Sequence, residues 1–342
     1  MKPTLLSILI LFLFSVSQAN ILRVDNTPGS SAPYSDLTTA HAVALDGDTL
    51  YIEGSNTSYG NLILNKRLVI LGPGYYLDQN PNTPVSLSAI VAIFTLERSD
   101  PNDPTSGSYQ SEIRGLSFTA TSNSGIRIES SEITIANCLI RSDIALQSFD
   151  INGIHVSQCY FQGEGIDASS NNPGFNGVVF INNIVEGNFL IPDNSTGTIN
   201  HNLFLGDRFE VLSFAGELRS NIATSTNTSN FAVSSSGSGQ ISHNTAANGQ
   251  FGTIDDNNIS AANVLFVGLT GNSQDGQYQL AAGATAVLGN AHDATDRGPF
   301  GGNRAYSLSG LSDIPRIISL EVPPTGSASE TFTIRVKARA GN

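Results

Sequence analysis

Residues 180–223 carry FINNIV (180–185), INHNLF (199–204) and LRSNIA (218–223), three variants of one motif. Each has an apolar residue, two mostly polar residues, an Asn, and a further apolar site two places on. Four more copies flank them: IRGLSF (113–118), IANCLI (135–140), VSQCYF (156–161) and ISHNTA (241–246). Their fourth positions form one column, Leu116, Cys138, Cys159, Asn183, Asn202, Asn221 and Asn244, with separations of 22, 21, 24, 19, 19 and 23 residues. A period of this length belongs to architectures in which each unit stacks only on its neighbours. The motif therefore predicts an all-β solenoid of stacked coils.

Outside the repeats, SDLTTAHAVAL (35–45) is the one amphipathic helix candidate, with Ser35 as N-cap and Leu37, Ala40 and Ala44 on one face. A helix there would cap the open end of the solenoid. TLYIEG, NLILN and RLVILGPG (49–74) suit a first coil, and AIVAIFTLE (89–97) suits one buried strand between loop-rich insertions. NVLFVGL (263–269) and YQLAAGATAVLG (278–289) read as less regular later coils. At roughly 22 residues per turn and a strand spacing of about 4.8 Å, about eleven coils would make a rod on the order of 50 Å long. The β-helix domain is placed at 20–305 and a C-terminal β segment at 306–342. In that segment PRIISLEVP and ETFTIRVKARA alternate as a hairpin would, with one face against the end of the rod, or as the start of a further module.

Residues 1–19 have the pattern of an export signal: Lys2, an apolar run from Leu5 to Val16, and Ser17-Gln18-Ala19 before a cut after Ala19. The run is short for a bilayer span, and no other candidate exists, so the mature chain is expected to lack a transmembrane segment and to be secreted, extracellular or periplasmic. From Asn20 the chain holds 15 basic against 29 acidic residues, a net charge of −14. That balance argues against a nucleic-acid partner, whose phosphates are met by Lys and Arg. The sequons at Asn56, Asn194, Asn227 and Asn258 would matter only in a eukaryotic secretory pathway.

Several columns invite a chemical reading. The Asn column suits a ladder, each Asn taking the left-handed conformation at its bend and bonding the Asn above and below. Cys138 and Cys159 hold the same position in adjacent coils, as stacked buried thiols or as a disulfide. His201 and His243 precede the ladder two coils apart, about 9–10 Å of backbone, too far to share one ion directly. His41, His155 and His292 have no partner motif. Five places after the ladder lie Asp143, Glu164, Asn188 and Asp207, each after Ser or Gly. These stacked oxygens could bind a ligand, with Asp143 and Glu164 holding Ca²⁺, or they could be ordinary turn residues. Arg141 and Arg208 flank the row and are the candidate catalytic residues, able to face an anionic sugar.

YSDLTTAHAVALDGDTLYIEG (34–54), LVILGPGYYLDQNP (68–81), SEIRGLSF (111–118) and YQLAAGATAVLGNAHDATDRGPFGG (278–302) resemble secreted right-handed parallel β-helix proteins of the Bacteroidetes type. These belong to the pectate-lyase-like superfamily, which includes lyases, glycoside hydrolases and adhesins. The resemblance implies the fold more strongly than an activity. Of the hydrolase signatures only an Asp-Asp pair, Asp255-Asp256, is present, and after the leader the only lysines are Lys66 and Lys337, both outside the repeats. Three functions follow as expectations: a non-catalytic module binding carbohydrate or another envelope component, a Ca²⁺-assisted polysaccharide lyase, and a structural spacer.

Overall fold

Short apolar strands separated by Gly, Asn and Ser can bury their alternate side chains only by stacking on copies of themselves, and the computed structural model shows them doing so. It describes residues 19–342 apart from 81–82, 84, 122–123, 148–149, 169–173, 253–255, 262, 312–315, 323–332 and 340–342. Residues 1–18 of the proposed leader lie outside the described residues. The fold is a parallel β-solenoid of about eight turns. One turn runs Thr134–Ala136, Leu139–Ile140, Ile144–Leu146, and these strands join three different sheets. A ten-stranded sheet extends from Ile21–Val24 to Gln240–Ser242, and a nine-stranded sheet from Ala89–Val91 to Ile259–Ser260. The third wall consists of a five-stranded sheet, Leu62–Leu64 to Ile166–Ala168, and a three-stranded one, Phe189–Ile191 to Phe231–Ser235.

The ten-stranded sheet keeps its register throughout, so Leu50, Ile70, Ile113, Ile135, Val156, Phe180, Ile199 and Leu218 stack in one inward row. All eight are completely buried. Beside them the rings of Phe180, Phe189, Phe204, Phe209, Phe231 and Phe251 follow one another with centroids 4.7–5.0 Å apart. Such contacts add to the burial of their large apolar areas.

At the N-terminal end the helix α1 (Leu37–Val43) closes the core with Leu37 and Ala40. Its N-cap is Asp36 rather than Ser35, because the Asp36 carboxylate accepts from the Thr39 amide at 2.8 Å. At the other end of α1, Lys66 Nζ donates to the carbonyls of His41 and Ala44 at 2.9 and 3.0 Å, a cation meeting the helix's unpaired acceptors. AIVAIFTLE forms two strands, not one: Ala89–Val91 joins the nine-stranded sheet and Phe94–Leu96 the five-stranded one. The bend at Ala92-Ile93 lets both halves bury apolar residues.

The coil number is smaller than eleven because residues 264–311 do not continue the solenoid. They turn back and run along it as a strap over the outer face of the nine-stranded sheet. Arg297 Nη1 donates to the Asn244 carbonyl, and Gly298 N to the Ser220 carbonyl. Further along, Asn182 Nδ2 meets the carbonyls of Pro299 and Gly301, Gln158 Nε2 those of Arg304 and Ala305, and Tyr75 N that of Ser309. Outward-facing Leu139, Tyr160, Ile184, Leu203 and Ile222 are thereby buried with Ala284, Val287 and Tyr306 in a second core. The solenoid and strap therefore extend beyond 305, to Leu311. Arg316–Glu321 and Arg335–Arg339 then pair antiparallel, but as an exposed two-stranded ribbon: Val322, Ile334 and Val336 are about half exposed instead of lying against the rod.

Candidate functional site

The bend between the ten- and nine-stranded sheets has two positions with separate tasks. The left-handed conformation falls on the residue before the ladder, not on the ladder Asn: Asn137, Gln158, Asn182, His201, Ser220, His243 and Asn257 all have φ of 54–58°. The ladder side chains point inward. Asn183, Asn202 and Asn221 each donate from Nδ2 to the Oδ1 of the next Asn at 3.0–3.1 Å, as does Asn244 to Asn258. Asn258 is thus a fifth member, seen in sequence only as a sequon. Cys159 N donates to Asn183 Oδ1, which joins the thiol part of the column to the amide part. Cys138 and Cys159 are free and fully buried, and burial pushes the Cys159 thiol well up.

The side chains of the left-handed column point outward and grip the strap. Asn182 and Gln158 do so through their amides, as above. Ser220 Oγ accepts from the His292 amide at 3.0 Å and lies 2.8 Å from His292 Nδ1. The strap thereby sets His292 beside His201, with ring centroids 5.3 Å apart, and 6.5 Å from His243. His292 therefore does have a partner, supplied from 91 residues away. Asp293 joins it, with Oδ2 at 3.4 Å from His201 Nε2. Burial pushes the His201 pKa down, against the opposing charge of Asp293. Burial also opposes ionisation of Asp293, yet hydrogen bonds from Thr295 hold its pKa below the usual value. Among the described residues, His201, His292 and Asp293 are the one group of three such side chains close enough to hold a metal ion, their donor atoms all within 4.8 Å of one another.

The acidic row lies at the opposite end of the nine-stranded strands, and within it the structure brings Glu164 and Asn188 together while Asp143 and Asp207 each bond a serine. Asp143 accepts from Ser124 Oγ at 3.1 Å, Glu164 from Asn188 Nδ2 at 3.1 Å, and Asp207 from Ser225 Oγ at 2.7 Å. Asn188 Oδ1 in turn accepts from the Arg208 amide. Among the described residues, Asp143 and Glu164 are not part of a three-donor group. Arg208 pairs with Glu210 at 3.0 Å, two residues along its own chain. Arg141 is exposed, and its charge opposes the rise that burial imposes on the Tyr76 phenol.

Sequence reading missed what borders Arg141. Tyr160 and Tyr278 both donate to Glu186 Oε1, at 2.5 and 2.9 Å, and Tyr76 lies 6.3 Å from Tyr160 by ring centroid. Tyr278 comes from the strap and Tyr76 from a bend near the first coil, so no local spacing could reveal the cluster. Burial first, and the Glu186 carboxylate second, push both bonded phenols up. Tyr76 and Tyr278 remain partly exposed while Tyr160 is buried. Elsewhere, Asp256 lines an open cleft of about 580 Å³ with Ser235, Gln240, Ser242 and Phe251 at the last coils. Its neighbour Asp255 is outside the described residues. No helix among the described residues is long and apolar enough to cross a membrane. No known family model, curated protein or solved structure matches the chain.

Proposed function

We propose that this chain is an exported, non-catalytic module of the pectate-lyase-like superfamily that binds a polysaccharide or another envelope glycan from outside the cytoplasm. The observation that carries the reading is the tyrosine cluster on Glu186 beside exposed Arg141. Partly exposed rings offer flat apolar area with a polar edge, and a few fixed polar groups around them give orientation. The row of Ser, Asn and carboxylate pairs from Asp143 to Asp207 continues this surface from coil to coil. A solenoid suits an extended ligand of repeating chemistry, since its own polar edge repeats.

The same geometry disfavours the lyase. Proton abstraction needs a group able to give up its own proton near neutrality. The raised Tyr160 and Tyr278 phenols keep theirs, and Glu186 is already occupied by two phenols. The spacer reading leaves the paired tyrosines without a task beyond packing.

Affinity electrophoresis in gels containing uronate-rich or neutral polysaccharides tests the proposal. Retardation by at least one glycan is expected, weakened about tenfold by Tyr278→Ala, which is about 1.4 kcal/mol. Absorbance from an unsaturated uronate product, lost in Arg141→Ala, would replace the reading with the lyase. Neither retardation nor product across the panel would leave the spacer.

A further inference from the structure

We infer that His201, His292 and Asp293 form a binding site for a zinc-type divalent transition metal that clamps the strap to the solenoid. The inference is independent of the glycan reading and starts from His201. This ring is 5% exposed, and neither of its nitrogens makes an aligned hydrogen bond. The backbone of Asp296 and Gly298 lies close to the ring but outside the alignment of a hydrogen bond. A buried imidazole in that condition has lost water without replacement, a cost that native interiors avoid. The Asp293 carboxylate at 3.4 Å is close, but too poorly aligned to count as a hydrogen bond.

A metal ion between them would give His201 Nε2 its missing partner. Two bonds of about 2.1 Å at a tetrahedral angle place their donor atoms about 3.4 Å apart, which is the His201 Nε2 to Asp293 Oδ2 distance of 3.4 Å. The remaining atoms are arranged as outer support. Thr295 donates its amide and hydroxyl to Asp293 Oδ1 at 3.1 and 2.6 Å, so Oδ2 is the oxygen presented to His201. Ser220 holds His292 by Nδ1 and by its amide, directing Nε2 away from the bond. Metal-bound His and carboxylate side chains are characteristically oriented in this way by a partner on their other atom. Two imidazoles and one carboxylate suit zinc, cobalt or nickel and not Ca²⁺, which takes oxygen alone. A fourth position would be left to water. Because His201 belongs to the coil and His292 and Asp293 to the strap, one ion would tie together parts of the chain some 90 residues apart.

The test is titration of the chelator-stripped full-length protein with Co²⁺ and Zn²⁺. One equivalent of Co²⁺ should bind with a visible ligand-field spectrum, and Zn²⁺ should displace it, raise the melting temperature and slow cleavage of the strap by added protease. His292→Ala and Asp293→Asn change groups on the strap and leave the coils intact. Each should keep the β-sheet circular dichroism and weaken Co²⁺ binding about 100-fold. Absence of binding by the wild type overturns the inference. So does binding of equal strength in His292→Ala and Asp293→Asn, which would put the ion elsewhere.

Discussion

Where the ladder holds Asn, the side-chain amide bridges two coils in a way that no apolar side chain can. Asn202 Nδ2 donates to Asn221 Oδ1 at 3.0 Å and to the Phe180 carbonyl at 2.8 Å, while its Oδ1 accepts from the amide and Nδ2 of Asn183. Asn202 is completely buried, so water cannot replace what a substitution removes. Asn202→Leu, nearly equal in size, should lower stability by about 1–3 kcal/mol through unpaired groups in both neighbouring coils. Urea denaturation would measure this, and an unchanged midpoint would show that the ladder contributes nothing net. Asn183 to Asn244 could be found from sequence because one residue type recurs at nearly one period. Asn258 follows Asn244 by only 14 residues, a shortened last turn, and so fell outside the pattern. The left-handed residue was misplaced by one because Asn satisfies both requirements, an inward amide and tolerance of positive φ. Only the neighbouring column, where Gln, His and Ser take φ near 55°, separates the two.

Among the elements, the strap is the one the sequence concealed. In its strand-like runs NVLFVGL and YQLAAGATAVLG, Val264, Phe266, Leu280 and Val287 pack on the outside of a sheet while Leu265, Val267 and Leu269 stay about half exposed, and such an apolar pattern cannot be told from a coil's own interior. Its contacts join side chains to distant backbone, as between Gln158 and Arg304, and no local period records them. Arg297 fastens the end nearest the last coils. It is 4% exposed and donates to the carbonyls of Asn290, Asn244 and Asn257 at 2.8–3.0 Å. Burial pushes its pKa down to about 10, which still leaves it charged at neutral pH. Arg297→Ala removes charge-assisted bonds and strands the Asn257 carbonyl, while the Asn244 carbonyl keeps the Ile259 amide, at a cost of about 2–4 kcal/mol. Solenoid coils need only their neighbours, so the loss should fall first on the strap. Limited proteolysis should cut within 264–311 much faster than in wild type, while the β-sheet circular dichroism persists. Equal cleavage rates would mean that the second core, not Arg297, holds the strap.

For the whole molecule, the buried and half-buried histidines set a direction for stability against pH. Burial is the leading cause that lowers the pKa of His41, His155, His201 and His243, with nearby Lys66 acting on the first and Arg114 on the second. An imidazole whose folded pKa lies below its unfolded value of about 6.5 binds more protons when the chain unfolds. Stability must then fall as pH drops below about 6.5, and it continues to fall until the folded rings also protonate. Carboxylates act lower down. The Asp25 pKa is held down by Ser30, and that of Asp48 by the Asn20 and Leu45 amides acting against its burial, so both contribute stability that is lost only as pH falls below about 4. In metal-free buffer the melting temperature should therefore be level from pH 8 to 7, decline between about pH 6.5 and 5, and decline again below about pH 4. His201→Gln keeps a polar group in the seam but cannot protonate, and should shrink the first decline without moving the second. A wild-type melting temperature that stays level from pH 8 to 5 would mean that these rings accept a proton as readily in the folded chain as in the unfolded one, and that water reaches them despite their packing.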